Sequence, residues 1–349
     1  MTAAHPERAG TGPRRPLGED RLHPAARLFA DGLAAVFPDV GGSVTDAAEA
    51  RRILAAAPRT PGEPPPVGAV ADRTVPGPPG AAPVPVRIYR PDPARWPGPR
   101  PTVVYCHGGG FVLCDLDTHD TTVRHLVRAS GSVAVSVDYR RAPEHPFPAA
   151  VEDTYAVLRW AAAHAGGLGG DPGALVLAGD SSGGNLAAAA ALLAVRRGGP
   201  RAALQALVYP ALSAAADSAS YRLYAEGYYL TAAHMRWFWR QYLGPSGDGA
   251  DPLASPPNAA REELALLPPA HVVVAGCDPL HDEGRAYHLL LRACGVPSTL
   301  DAHPDVPHGF LAASRALPQA RAALARLGGA IASTVSDGKN SGGPGGVAG

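Results

Sequence analysis

The strongest constraint on the fold is an alternation along the chain. Short strand-like runs recur at Thr102 to Cys106, Val133 to Val137, Ala174 to Ala178, Leu204 to Val208, Val272 to Ala275 and Ser298 to Ala302. Between them lie segments with helical spacing of apolar residues: Thr121 to Ala129, Ala149 to His164, Gly183 to Arg197 and Asp282 to Cys294. Strand-like runs that alternate with helices predict an α/β fold, with a mostly parallel central sheet flanked by helices on both faces. Ahead of them, Val67 to Tyr89 reads as two strands around a Pro-Gly-Pro-Pro-Gly turn, an antiparallel start to the sheet.

One interval is too long for a simple crossover. Residues 211–267 form an insertion in which Met235, Phe238, Trp239 and Tyr242 fall at i, i+3, i+4 and i+7 on one face of a helix over Thr231 to Leu243. Residues 18–66 carry helical apolar spacing (Phe29, Leu33, Val36, Ile53, Leu54) and end in a Pro-rich linker from Pro58 to Pro66. The two segments are expected to combine into a helical cap over a core made of residues 67–210 and 268–335. Residues 1–17 and 336–349 are polar and rich in Pro or Gly, cannot bury apolar surface, and are expected to be disordered.

Charge excludes several partner classes. Lys plus Arg and Asp plus Glu both number 31, so no net field gathers nucleic acid or an anionic membrane. No apolar stretch approaches the roughly 18 residues of a membrane span, and the N-terminus lacks the apolar core of a secretory signal. Cys106, Cys114, Cys277 and Cys294 are too few and too irregularly spaced for a disulfide framework or a metal knuckle, which predicts reduced thiols and a cytoplasmic location. Cys277 reads as a small hydrophobe at a strand end.

Two glycine motifs carry the chemistry. Gly179-Asp180-Ser181-Ser182-Gly183 lies directly between a strand and a helix, the setting of a nucleophile elbow. With 41 glycines in the chain, G-x-S-x-G is expected by chance about 0.2 times, so its placement matters more than its presence. His107-Gly108-Gly109-Gly110 follows another strand and has a chance expectation of only about 0.02. Such a run lets backbone N–H groups converge on a developing oxyanion, and the N–H of Ser182 is a further donor. His107 itself reads as a structural ring bonded within its own loop.

A serine hydroxyl needs a base within reach and a carboxylate to fix that base's tautomer. Asp278 and His308 follow successive strands in the order Ser, acid, His. Asp282 and Glu283 compete for the role of acid, and His281, His288 and His303 for that of base. Asp282 is also well placed to cap its own helix.

Taken in order, these motifs are similar to those of the bacterial hormone-sensitive lipase family of carboxylesterases. They comprise His107-Gly-Gly-Gly-Phe111, Asp138-Tyr-Arg-Arg-Ala-Pro-Glu-His-Pro-Phe-Pro148, Gly179-Asp-Ser-Ser-Gly-Gly-Asn185, Asp278-Pro-Leu-His-Asp-Glu-Gly284 and His308-Gly-Phe310. The resemblance runs over residues 67–325. It implies an α/β-hydrolase fold with a helical cap, Ser181 as nucleophile, Asp278 as acid, His308 as base, and oxyanion donors at Gly109, Gly110 and Ser182. It also implies that Asp138 to Pro148 is a buried polar loop supporting the oxyanion turn. Cys114 stands where the family often has Gly, and Ser182 where Ala is commoner.

The resulting expectation is a serine carboxylesterase acting on small-molecule esters without a metal or organic cofactor. Tyr228, Tyr229, Trp237 and Trp239 in the cap suit short or medium acyl chains. An acyltransferase or deacetylase could share the same acyl-enzyme, whereas a non-catalytic binding protein of this fold would not need the His308 it retains. The oligomeric state is not fixed by the sequence, which is compatible with a homodimer.

Overall fold

Side chains alternate between two cores along each central strand, which is why most of these runs are apolar at consecutive positions, with buried exceptions such as Ser136 and Gln205. Val104 and Cys106 face one core while Val103 and Tyr105 face the other; Leu175 and Leu177 oppose Val176 and Ala178 in the same way. A strand buried on both faces belongs inside a parallel sheet. The computed structural model describes residues 21–58 and 63–335. The expectations for residues 1–17 and 336–349, and for the middle of the Pro-rich linker, lie outside the described residues.

The elements in chain order are α1 (Pro24–Val36), α2 (Ala47–Ala56), β1 (Ala69–Val75), β2 (Val84–Arg90), β3 (Thr102–Cys106), α3 (Asp120–Ser130) and β4 (Val133–Val137). They continue with α4 (Ala149–Leu168), β5 (Leu175–Asp180), α5 (Ser182–Arg197), β6 (Leu204–Val208), α6 (Ala219–Leu223) and α7 (Ala232–Leu243). The chain then runs through α8 (Arg261–Leu264), β7 (Ala270–Cys277), α9 (His281–Ala293), β8 (Ser298–Pro307) and α10 (Pro318–Ala332). The strands form one sheet in the order β1-β2-β4-β3-β5-β6-β7-β8. β2 pairs antiparallel with both β1 and β4, and every later pairing is parallel.

The order β4-β3-β5 matters for function. After β3 the chain moves one way to β4, then returns past β3 to β5, so a crevice opens beyond the carboxyl ends of β3 and β5. Register pairing sets Cys106 opposite Gly179, and the two glycine motifs therefore leave the sheet side by side.

Helices α4, α5 and α9 cover one face, with Leu158, Leu186 and Tyr287 among their buried residues; α3 and α10 cover the other with Leu126, Val127, Leu324 and Ile331. In α5 every residue from Ser182 to Ala194 is buried, and most are glycine or alanine, so the helix can lie close against β3, β5 and β6. Helix α10 was not read from the sequence. Its apolar spacing is diluted by alanines and by Gly328-Gly329, yet Gly328 is pressed against Ala129 of α3. β8 also extends five residues beyond the expected Ala302, which places His303 inside the strand.

The N-terminal helices and the insertion touch each other. Trp237 of α7 donates its indole N–H to the Thr45 carbonyl at 3.1 Å, and Phe37 meets Tyr229 edge-on at 5.3 Å. Arg27 of α1 reaches the Gly227 carbonyl at 2.6 Å. The Thr231 hydroxyl caps α7 by accepting from the His234 N–H. Among the described residues, no helix is long and apolar enough to cross a membrane.

Candidate active site

Ser181 occupies the turn between β5 and α5 with φ 56° and ψ −122°, a conformation that L-residues rarely adopt. The turn is held by Ser181 N–H donating to Val208 O at 2.9 Å, and by the Gly184 and Ala211 N–H groups donating to Ser181 O at 3.0 and 3.1 Å. It is tight because both flanking glycines lack a β-carbon. A methyl group on Gly179 would collide with the Gly183 carbonyl, and one on Gly183 with the Cys106 carbonyl at the end of β3. The small residues in G-x-S-x-G are therefore steric requirements of the turn.

Three side chains form a hydrogen-bonded line at the carboxyl ends of β5, β7 and β8. His308 Nε2 lies 3.0 Å from Ser181 Oγ, and His308 Nδ1 lies 2.7 Å from Asp278 Oδ2. Asp278 is fully buried, and its Oδ1 accepts from the Leu280 N–H at 2.9 Å. Since a carboxylate only accepts, Nδ1 carries the proton and Nε2 is left to accept from the serine. The Tyr209 ring lies against His308 at 4.6 Å and helps fix its plane, a neighbour that sequence reasoning did not find.

The competing residues have other partners. Asp282 accepts the Ser220 N–H at 2.8 Å, so it serves the first turn of α6 and not, as expected, its own helix. The reason is that Ser220 is brought onto the start of α9, and its hydroxyl accepts the Asp282 N–H in return at 3.2 Å. Glu283 accepts the Leu212 and Ser213 N–H groups at 2.6 and 3.1 Å, and its burial pushes the carboxyl up to about 8, which keeps it protonated at neutral pH. His303 is held between Asp301 and Arg326, His288 bonds Ser298, and His281 bonds the Ala275 carbonyl. Cys277 is buried with its thiol toward the Pro304 carbonyl.

Beside the serine lies the glycine loop that follows β3. His107 Nδ1–H donates to Gly108 O at 2.7 Å, while the Val112 and Leu113 N–H groups donate to Gly109 O at 3.2 and 2.8 Å. Because each peptide is planar and trans, fixing a carbonyl fixes the next N–H in the opposite direction. The N–H groups of Gly109 and Gly110 are thereby oriented by bonds on the far side of the loop. The Ser182 N–H, in the first turn of α5, has no intrahelical partner and adds the positive end of the helix. Gly109 and Gly110 have φ 113° and 62°, open to glycine and strained for other residues.

His107 is neutral: burial drives its imidazole down to about 3, and among the described residues its buried Nε2 meets no hydrogen-bond partner. It stacks on Tyr139 at 4.3 Å, and the Tyr139 hydroxyl donates to His107 O at 2.9 Å. The 138–148 loop supports the glycine turn elsewhere as well, but it is not buried throughout as expected: Tyr139 and Ala142 face inward while Pro143 to Pro146 and Pro148 are exposed. The Ala142 N–H donates to Phe111 O, Arg141 reaches Cys114 O, and Arg140 pairs with Asp153. Cys114 has φ 64°, which accounts for a position that glycine fills easily.

The cap aromatics are arranged differently from the expectation. Phe238 rests on Gly110, where an added methyl group would strike its ring, and Tyr229 stands over Gly309, next to His308. Trp237 points away to Thr45 and Gly41, and Trp239 packs on Phe111 at 5.2 Å. The sequence pattern gave the apolar face of α7 but not which of its residues meets the glycine loop, because that depends on how the helix is docked.

This sheet order, with a serine turn at the crevice beside β3, defines an α/β-hydrolase, and the sequence model of the alpha/beta hydrolase fold family matches residues 103–312. The chain is 45% identical over 248 residues to the carboxylic ester hydrolase LipN of Mycobacterium tuberculosis, a match covering 69% of this chain and 64% of that protein, just under two thirds of its length. It is 37% identical over 307 residues to the carboxylesterase NlhH of the same species, covering 87% and 93%. A thermostable esterase from Pseudomonas putida superposes with a TM-score of 0.84 at 33% identity, over 91% of this chain and 99% of that one. The chain belongs to the α/β-hydrolase family, in its bacterial hormone-sensitive lipase branch of carboxylesterases.

Proposed function

We propose that the chain hydrolyses carboxylic esters of short to medium acyl length through an acyl-enzyme on Ser181. The observation that carries this reading is the line from Ser181 through His308 to Asp278, with hydrogen bonds of 3.0 and 2.7 Å. Ser181 Oγ attacks the ester carbonyl carbon as His308 Nε2 takes its proton, and Asp278 stabilises the imidazolium. The N–H groups of Gly109, Gly110 and Ser182 receive the negative charge on the former carbonyl oxygen. Collapse breaks the bond to the alkoxy group, which leaves as the alcohol with the proton from His308. Water, deprotonated by His308, then attacks the acyl-enzyme, and the carboxylic acid departs as Ser181 regains its proton.

In this reading residues 18–66 and 211–267 form a cap on the core of residues 67–210 and 268–335. Phe238 and Tyr229 crowd the site from that side, which favours compact acyl groups over long lipid chains. The substrate is a small-molecule ester. We place the enzyme in the cytoplasm on the free thiols of Cys106, Cys114 and Cys294.

Labelling with a fluorophosphonate and peptide mapping, together with a nitrophenyl ester series from acetate to dodecanoate, tests the proposal. The expected result is an adduct on Ser181 and highest kcat/KM at or below octanoate. An adduct on another residue, or a wild-type protein without ester turnover, overturns it.

A further inference from the structure

The second residue of the serine turn plays no part in the chemistry above, yet its carboxylate is buried and reaches into the glycine loop. Asp180 ends β5, and its Oδ1 accepts the Tyr105 hydroxyl of β3 at 2.6 Å and the Gly108 N–H at 3.1 Å. Its Oδ2 lies 3.3 Å from Nε2 of His119, which precedes α3. Gly108 permits the approach: a methyl group there would stand 2.6 Å from Asp180 Oδ2. Burial pushes this carboxyl up, but His119 and the Tyr105 hydroxyl outweigh it and hold the group below the usual carboxylate range, so it is ionised.

Asp180 is joined by one peptide bond to Ser181, and Gly108 by one to Gly109. A single charged side chain thus spans the nucleophile and the oxyanion loop, in addition to the β3–β5 pairing and the packing of Gly183 on Cys106 and His107. Charge-assisted bonds to a buried carboxylate are the stronger kind and give a rigid tie. The oxyanion N–H groups contribute only if they meet the oxygen of the tetrahedral state at about 2.7–3.1 Å, so a small change in the gap between turn and loop weakens that state more than it weakens substrate binding.

We propose that Asp180 is a positioning residue that sets the distance between Ser181 and the N–H groups of Gly109 and Gly110, acting through its bond to Gly108. The proposal rests on the acyl-enzyme reading above. Its signature is a loss in kcat with little change in KM.

The test compares Asp180→Ala and Asp180→Asn on nitrophenyl butyrate, with Ser181→Ala as the inactive reference and circular dichroism as the check on folding. Asp180→Ala removes the tie and is expected to lose at least a hundredfold in kcat, with KM within threefold. Asp180→Asn keeps an acceptor for Tyr105 and Gly108 and is expected to recover to within about tenfold of wild type. Inhibition by an alkyl trifluoromethyl ketone, whose hemiketal oxygen needs the same N–H groups, should weaken by the same factor as kcat. If Asp180→Ala does not fold, Gly108→Ala breaks the tie from the other side and should show the same split. The proposal is overturned if the folded variant keeps kcat within threefold, if KM carries the loss, or if ketone inhibition is unchanged. A wild-type protein inactive on every ester would instead count against the acyl-enzyme reading.

Discussion

Asp282 and Ser220 hold each other reciprocally: the carboxylate accepts the Ser220 N–H at 2.8 Å, and the Ser220 hydroxyl accepts the Asp282 N–H at 3.2 Å. Asp278, four residues earlier, is left as the carboxylate that meets His308. Asp278→Asn should leave a folded protein whose base takes the wrong tautomer, with kcat down on the order of 10⁴, as in the serine proteases. Asp282→Asn should keep kcat within tenfold and lower the melting temperature by a few degrees, since only the junction between α6 and α9 weakens. Steady-state kinetics and thermal unfolding on both variants decide the assignment; a near-dead Asp282→Asn beside an active Asp278→Asn would reverse it.

The strain at Ser181 has a measurable counterpart. A non-glycine residue held at φ 56° and ψ −122° costs on the order of 1–3 kcal/mol. Glycine escapes that cost and gives back roughly 0.5–1 kcal/mol through the greater freedom of its unfolded chain. Ser181→Gly should therefore be inactive yet more stable than wild type by about 1 kcal/mol. A melting temperature below that of wild type would contradict this account.

The positions of the cap aromatics separate specificity from stability. Phe238 lies on Gly110, so Phe238→Leu should move the preferred acyl length, at a stability cost well below that of truncation to alanine because only three buried side-chain carbons are lost. Trp237 is buried against Gly41 and bonded to Thr45, so Trp237→Ala should cost about 3–5 kcal/mol and leave the acyl-length profile of any folded fraction unchanged. A reversed pattern would mean that Trp237 lines the pocket.

Glu283 makes stability fall as pH rises between about 4.5 and 8. In the folded protein it keeps its proton to about pH 8, whereas an unfolded glutamate loses it near 4.5. The folded state binds more protons between these values, so its contribution is intact below about pH 4.5 and is lost progressively as pH rises through 8. Thermal unfolding from pH 5 to 9 should show a decline for wild type that is reduced in Glu283→Gln. Parallel curves would show that Glu283 does not titrate in this way.

The parts of the site legible in the sequence are those fixed by sterics and chain order. Gly179 and Gly183 are small because each other's backbone and the end of β3 leave no room, and such a demand survives as a local pattern. Asp278 and His308 follow their strands in a readable order. The tie from Asp180 to Gly108 was not legible, since it depends on β3 lying next to β5, a pairing between segments 73 residues apart. The role of Asp282 was hidden for the same reason: its partner is supplied by the insertion. Helix α10 escaped because alanine and glycine pack well but leave little apolar signal.

Arg51 of α2 donates to Val112 O at 2.8 Å, to Ala142 O at 2.6 Å, and to both oxygens of Glu144. Val112 lies two residues beyond Gly110, and Ala142 belongs to the loop that supports it. The N-terminal helices are therefore not a detachable leader to be trimmed for expression. A truncation that begins after residue 57 would take away the brace of the glycine loop while leaving every residue of the Ser181–His308–Asp278 line in the chain, and should yield a protein that still holds its serine but turns over esters poorly.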